Sequence, residues 1–175
     1  MKTFRLVILL SIIIALPPDS YADFDISIYG GYSYFNKIED LKPRGFEYGL
    51  NAHFKKDILP MILSIGIGAF AHFSPLKDKE GTKYDKKTFG LDGNLQLELP
   101  IIIHPYAKAS VAIWEEVKGD FSNTDYFNSY YFGGGIAFSI LSFLHLYIEY
   151  LHNTALENTN KAEMNSFLFG LRFVI

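Results

Sequence analysis

Seven charged side chains stand one at a time between apolar or glycine neighbours: Asp25, Glu47, Asp92, Glu98, Lys108, Glu149 and Arg172. Sharing one interior, they could do either of two things. A buried charge is costly unless it is paired, so they could form an ion-pair network. Strung along a passage, they could instead carry ions or protons. The network is the expected role. Lys108 and Arg172 should meet nearby carboxylates, Arg172 beside Asp25, with Glu149 bridging to Arg172 or Lys108. Carboxylates outnumber bases in this set, so one of them is expected protonated or facing water at a rim.

Other chemistry is thinner. The histidines His53, His72, His104, His145 and His152 lie on different segments without metal-ligand spacing, so hydrogen bonding is expected of them and no metal or cofactor. Gly133-Gly134-Gly135 lacks the Lys-Ser/Thr of a phosphate loop and sits inside an apolar stretch, where close packing or a bulge accounts for it. With no cysteine, a disulfide scaffold, a Cys-ligated zinc and a lipid-acceptor cysteine are all excluded. The net charge is −3 and there is no Lys/Arg run, which argues against nucleic acid as a partner.

What positions these residues is an alternation of period two, the signature of strands with one greasy face. The first stretch sets Phe24, Ile26, Ile28, Tyr32 and Tyr34 against Asp25, Ser27, Gly31 and Ser33. The second sets Phe46, Tyr48, Leu50, Ala52 and Phe54 against Glu47, Gly49, Asn51 and His53. In the third, Met61, Leu63, Ile65, Ile67, Ala69 and Phe73 oppose Ser64, Gly66, Gly68 and His72. The fourth is the clearest: Phe89, Leu91, Leu95, Leu97 and Leu99 against Thr88, Asp92, Asn94, Gln96 and Glu98. The fifth sets Ala107, Ala109, Val111 and Ile113 against Tyr106, Lys108, Ser110 and Trp114. The sixth sets Tyr130, Phe132, Ile136, Phe138 and Ile140 against Ser129, Tyr131, Gly133, Gly135 and Ser139. The seventh sets Leu144, Leu146, Ile148 and Tyr150 against His145, Tyr147 and Glu149, and the last Phe167, Phe169, Leu171, Phe173 and Ile175 against Ser166, Gly170 and Arg172.

Segments of about ten residues suit tilted strands crossing a bilayer. Long polar links at 36–43, 74–86, 115–128 and 153–162 alternate with short joints near 55–60, 100–104 and 141–143, as outer loops alternate with periplasmic turns. Tyr32, Tyr34, Phe46 and Tyr48 suit a girdle at the loop end, and Phe54, Phe143 and Phe173 one at the turn end. No later run is long and apolar enough for a helical span, which leaves a barrel to satisfy the backbone in lipid. The polar phase is rich in Gly and Ser, as a narrow filled lumen needs, so the greasy phase is expected to face lipid. The reversed arrangement, a soluble ligand-carrying barrel, has the same period.

The first 22 residues read as a secretory signal: Lys2 and Arg5, an apolar core over 6–16, Pro17-Pro18, then Ser20-Tyr21-Ala22 with small residues at −3 and −1. Cleavage after Ala22 removes Lys2, Arg5 and Asp19 and leaves 14 basic against 18 acidic side chains, a charge of −4. Residues 23–175 then form one domain, and no peptidoglycan-binding domain is expected beyond Ile175.

The stretches His104-Pro105-Tyr106-Ala107-Lys108-Ala109, Phe132-Gly133-Gly134-Gly135-Ile136 and Leu146-Tyr147-Ile148-Glu149-Tyr150, with the terminal strand, resemble the small outer-membrane barrels similar to the membrane domain of outer-membrane protein A and its OmpX-like relatives. The resemblance, to a porin-like outer-membrane β-barrel domain, covers 23–175. It implies an all-β, eight-stranded antiparallel up-and-down transmembrane barrel in a bacterial outer membrane. Gly170, Phe173 and Ile175 resemble the family's terminal insertion pattern, although Leu168 is apolar where that pattern is usually polar and the chain ends in Ile rather than Phe. The implied partners are the lipid bilayer and lipopolysaccharide, the barrel-assembly machinery during insertion, and an extracellular ligand at the loops.

The stretch His152-Asn153-Thr154-Ala155-Leu156-Glu157 also resembles the His-x-Ser-Asn stretch of outer-membrane lipid A deacylases, which use a Ser nucleophile, a His base and a Glu orienter. Here Thr154 stands at the nucleophile position and Ala155 at the Asn, so the motif is broken twice. The expectation is a non-enzymatic barrel with a structural or adhesive role; a narrow ion channel and a lipid A-modifying enzyme are the alternatives.

Overall fold

The computed structural model describes residues 22–37, 42–59, 62–119, 124–126, 129–155 and 163–175. Of the expected signal peptide only Ala22 falls within them, and Met61 falls outside. The strands are β1 (Ala22–Lys37), β2 (Arg44–Leu59), β3 (Leu63–Lys77), β4 (Lys83–Leu97), β5 (Ile103–Gly119), β6 (Thr124–Tyr126), β7 (Ser129–Leu141), β8 (Leu144–Ala155) and β9 (Glu163–Val174). Among the described residues, eight of these pair antiparallel, each with its neighbour in the meander, and β1 pairs with β9 to close the ring. The short β6 only extends the top of β5. Reciprocal backbone bonds between Phe24 and Ile175 (3.2 and 2.8 Å) seal the seam at the turn end. The fold is a closed eight-stranded up-and-down β-barrel.

Exposure decides which face is outside. Phe46 is 73% exposed, Phe54 68% and Ile113 67%, while Glu47 is 1% and Arg172 3% exposed. The apolar phase therefore points outward and the charged phase inward. That pattern fits a lipid surrounding and reverses the arrangement of a ligand-carrying soluble barrel.

Two expectations need correction. The strands run well past the residues where polarity suggested loops: β3 and β4 are joined by 78–82 alone, not 74–86, and β5 continues through Glu115 to Gly119 rather than ending before it. Ladder bonds reward any backbone that stays in register, and polar side chains above the lipid are tolerated on both faces. Trp114 was expected inward. Instead Phe89 pairs with Trp114 and Gly90 with Ala112, so Ile113 is the extra residue of a β-bulge. The bulge turns Trp114 outward, 5.5 Å from the Phe89 ring, and brings Glu115 into the lumen.

Inward glycines make room for rings on the adjacent strand. Tyr106 faces Gly135 across the ladder and Tyr147 faces Gly170. A Cβ on Gly135 would lie 2.8 Å from the Tyr106 hydroxyl, and one on Gly170 would lie 2.5 Å from the Tyr147 ring. With Tyr29, Leu151 and Leu168, these buried tyrosines fill the lumen between its charged tiers.

Candidate functional site

The middle of the lumen carries a circuit of charge. Arg172 on β9 donates to Gln96 Oε1 (2.8 Å), and its Nε lies 4.0 Å from Asp25 Oδ2 on β1. Asp25 Oδ1 meets His53 Nδ1 at 3.0 Å. The other ring nitrogen, Nε2, lies 2.9 Å from Asp92 Oδ1 on β4, at ion-pair distance though off line for a hydrogen bond. Lys108 on β5 spans Asp92 Oδ2 (3.2 Å) and Glu149 Oε1 on β8 (3.4 Å). Tyr106 donates to Glu149 Oε2 (2.8 Å), and its ring lies 5.2 Å beneath the Arg172 guanidinium, which returns the circuit to its start. Six strands contribute. Asp25, Asp92 and Glu149 face Lys108, Arg172 and His53, whose ring is flanked by carboxylates on both sides.

The remaining carboxylates sit elsewhere. Glu47 lies one tier higher, away from both bases, where Ser33 and Ser166 (2.7 Å) donate to Oε2 and His72 Nδ1 approaches Oε1 to 2.7 Å. Glu98 lies at the turn-end rim with Lys55, Ser64 (2.7 Å), Gln96 (2.9 Å) and His104 (3.3 Å). Sequence reasoning missed the uppermost tier. Glu115 takes hydrogen bonds from Ser129 (2.8 Å), Thr88 (3.0 Å) and Tyr131 (2.7 Å) and an ion pair from Lys86 (3.3 Å), whose ammonium lies over the Tyr131 ring. Both ends of that ion pair fell in segments that looked like loops. The sequence carried little signal of it, because the run Trp114-Glu115-Glu116-Val117-Lys118 keeps no clean alternation after the phase shifts at Ile113.

A second cluster faces outward at the loop end of β8 and β9. Thr154 Oγ1 lies 3.2 Å from His152 Nε2, and His152 Nδ1 lies 2.8 Å from Asn165 Oδ1, which also accepts from Tyr150 (2.7 Å). An amide oxygen can only accept, so it holds the proton on Nδ1 and leaves Nε2 free to accept from Thr154. That is the tautomer a hydroxyl nucleophile needs. Asn165 was not among the expected residues, because its contribution comes across the ladder from His152.

No protein-family model and no curated protein matches this sequence. Among solved structures, the chain is similar to Neisserial surface protein A (14% identity, 86% of this chain and 96% of that one, TM-score 0.66). It is also similar to the attachment invasion locus protein of Yersinia pestis (12%, 88% and 99%, 0.60), which has been crystallised with the heparin analogue sucrose octasulfate. The outer membrane enzyme PagL shares the fold as well (14%, 86% and 99%, 0.56). At these identities the likeness is one of fold.

Proposed function

We propose that this chain is a non-enzymatic integral protein of a bacterial outer membrane. In this reading it is exported by the signal at 1–22, its lumen is shut, and it serves the envelope structurally or contacts surfaces through its loops. The carrying observation is the pairing of an apolar outer wall with a closed circuit of buried charge at Asp25, His53, Asp92, Lys108, Glu149 and Arg172. Interlocked side chains of this kind oppose diffusion and hold the strands to one another. Neighbours described as a surface protein and an attachment invasion locus protein support the surface role. Lipopolysaccharide and bilayer lipid are the surrounding partners, and Gly170, Phe173 and Ile175 are the residues we assign to the barrel-assembly machinery. The test is heat-modifiable mobility and circular dichroism of protein refolded in detergent, with conductance in a planar bilayer. A sheet-rich spectrum, a band that shifts only on boiling and no discrete conductance steps are expected. Regular steps would make the lumen a channel.

The Thr154–His152–Asn165 relay favours a second reading, hydrolysis of an ester-linked acyl chain. Thr154 Oγ would attack the carbonyl while His152 Nε2 takes its proton and passes it to the departing alcohol. Water would then release the acid from the acyl-threonine. It ranks second because the orienting group is a neutral amide and the nucleophile is β-branched. Fatty acid released from an ester-linked acyl glycolipid, lost in His152→Ala and raised in Asn165→Glu, would establish it. No release by either the natural chain or Asn165→Glu would remove it.

A further inference from the structure

Resting on the membrane reading, we infer that the loop-end rim of β1 and β2 binds one outer-leaflet lipid, its phosphorylated headgroup above and an acyl chain below. The first ground is charge. Arg44 is paired directly with Lys77 across the β2–β3 ladder, both exposed on the outward face at one height. Like charges opposite one another across a ladder destabilise it, so an anion there is favoured. Among the described residues, Arg44 also lines a surface pocket of about 400 Å³ with Lys42, Lys79, Tyr32, Tyr34 and Phe35, three cations beside three aromatic rings. Lys42 takes φ 39° immediately before Pro43. Neither a lysine nor the residue before a proline favours that conformation, and such strain gathers where a ligand is held.

The second ground is what lies beneath. A groove of about 570 Å³ shares Tyr32 with the basic pocket and is walled by Phe46, Tyr48, Phe167 and Phe169. Its floor is the outward-facing Gly30, which pairs with Tyr48 on one side and Phe169 on the other. A missing side chain between aromatic neighbours leaves a slot in the lipid-facing wall. A cationic pocket set over an apolar slot complements an amphiphile carrying phosphate. A soluble polyanion accounts for the first feature and not the second.

The test uses the full chain refolded in dodecylmaltoside, with bound lipid counted by native mass spectrometry. The probes are a bis-phosphorylated acylated glucosamine disaccharide and its dephosphorylated form. The natural chain should prefer the phosphorylated lipid by about tenfold or more. Lys42→Gln/Arg44→Gln/Lys79→Gln should abolish that preference, while Lys56→Gln at the opposite rim retains it. Gly30→Leu places its Cβ no nearer than 3.7 Å to Glu47 O, so it fills the slot without strain and should weaken both lipids several-fold. A preference that survives the triple substitution overturns the proposal. So does sucrose octasulfate binding as tightly as lipid together with indifference to Gly30→Leu, which would mark a site for soluble polyanions. A natural chain that shows no heat-modifiable band overturns the membrane reading and this proposal with it.

Discussion

The middle and upper tiers of the lumen solve one problem in different ways. In the middle, Asp92 and Glu149 share Lys108, so three strands depend on one ammonium. In the upper tier Glu115 has Lys86, but also three hydroxyl donors from β4 and β7. The middle tier concentrates its stability in a few permanent charges. The upper tier spreads it over hydroxyl donors to a carboxylate, charge-assisted hydrogen bonds each worth about 1.5–3 kcal/mol. A cation is more easily replaced where three hydroxyls serve one acid than where one ammonium serves two acids.

Lys108→Met is the strongest way to break that contrast. It removes the one ammonium that two buried carboxylates share, leaving Glu149 with Tyr106 and Asp92 with His53, and should cost about 3–5 kcal/mol, read as a lowered urea midpoint of the refolded barrel. An effect below about 1 kcal/mol would mean the middle tier is not held by charge. Adding Asp92→Leu to Lys108→Met should recover part of the loss, with a coupling of about 0.5–3 kcal/mol in the double-mutant cycle. Strict additivity would show that Lys108 serves Glu149 alone. In the upper tier, Lys86→Met should cost clearly less than Lys108→Met, about 1–3 kcal/mol, because Thr88, Ser129 and Tyr131 still serve Glu115. Equal losses at the two lysines would erase the distinction.

The smallest expected effect concerns Trp114, the chain's single tryptophan. Trp114→Phe should change stability by less than about 1 kcal/mol. The bulge before it should instead show spectroscopically, as strong quenching of its fluorescence by brominated lipid. Protection from such quenching would return Trp114 to the lumen and Glu115 to the outside.

These tiers also differed in legibility. Asp25, Asp92, Lys108, Glu149 and Arg172 each interrupt an apolar stretch in an unbroken phase, so their inward direction could be read directly. Glu115 could not, because one bulged residue reverses every side chain that follows it on β5. Lys86 was hidden by its polar surroundings, which marked a loop where the ladder in fact continues. Asn165 gives no local sign of partnering His152, since the two are joined across the β8–β9 ladder.

The sequence alone determined the number of strands in the barrel and the division of each into a greasy and a polar face, because alternation is a property of neighbours along the chain and needs no knowledge of what pairs with what. The tertiary structure decided which acid meets which base, where Ile113 shifts the phase, and that Tyr32 joins a basic pocket to an apolar slot. Each of these depends on the register between strands distant in sequence, which only closure of the barrel sets.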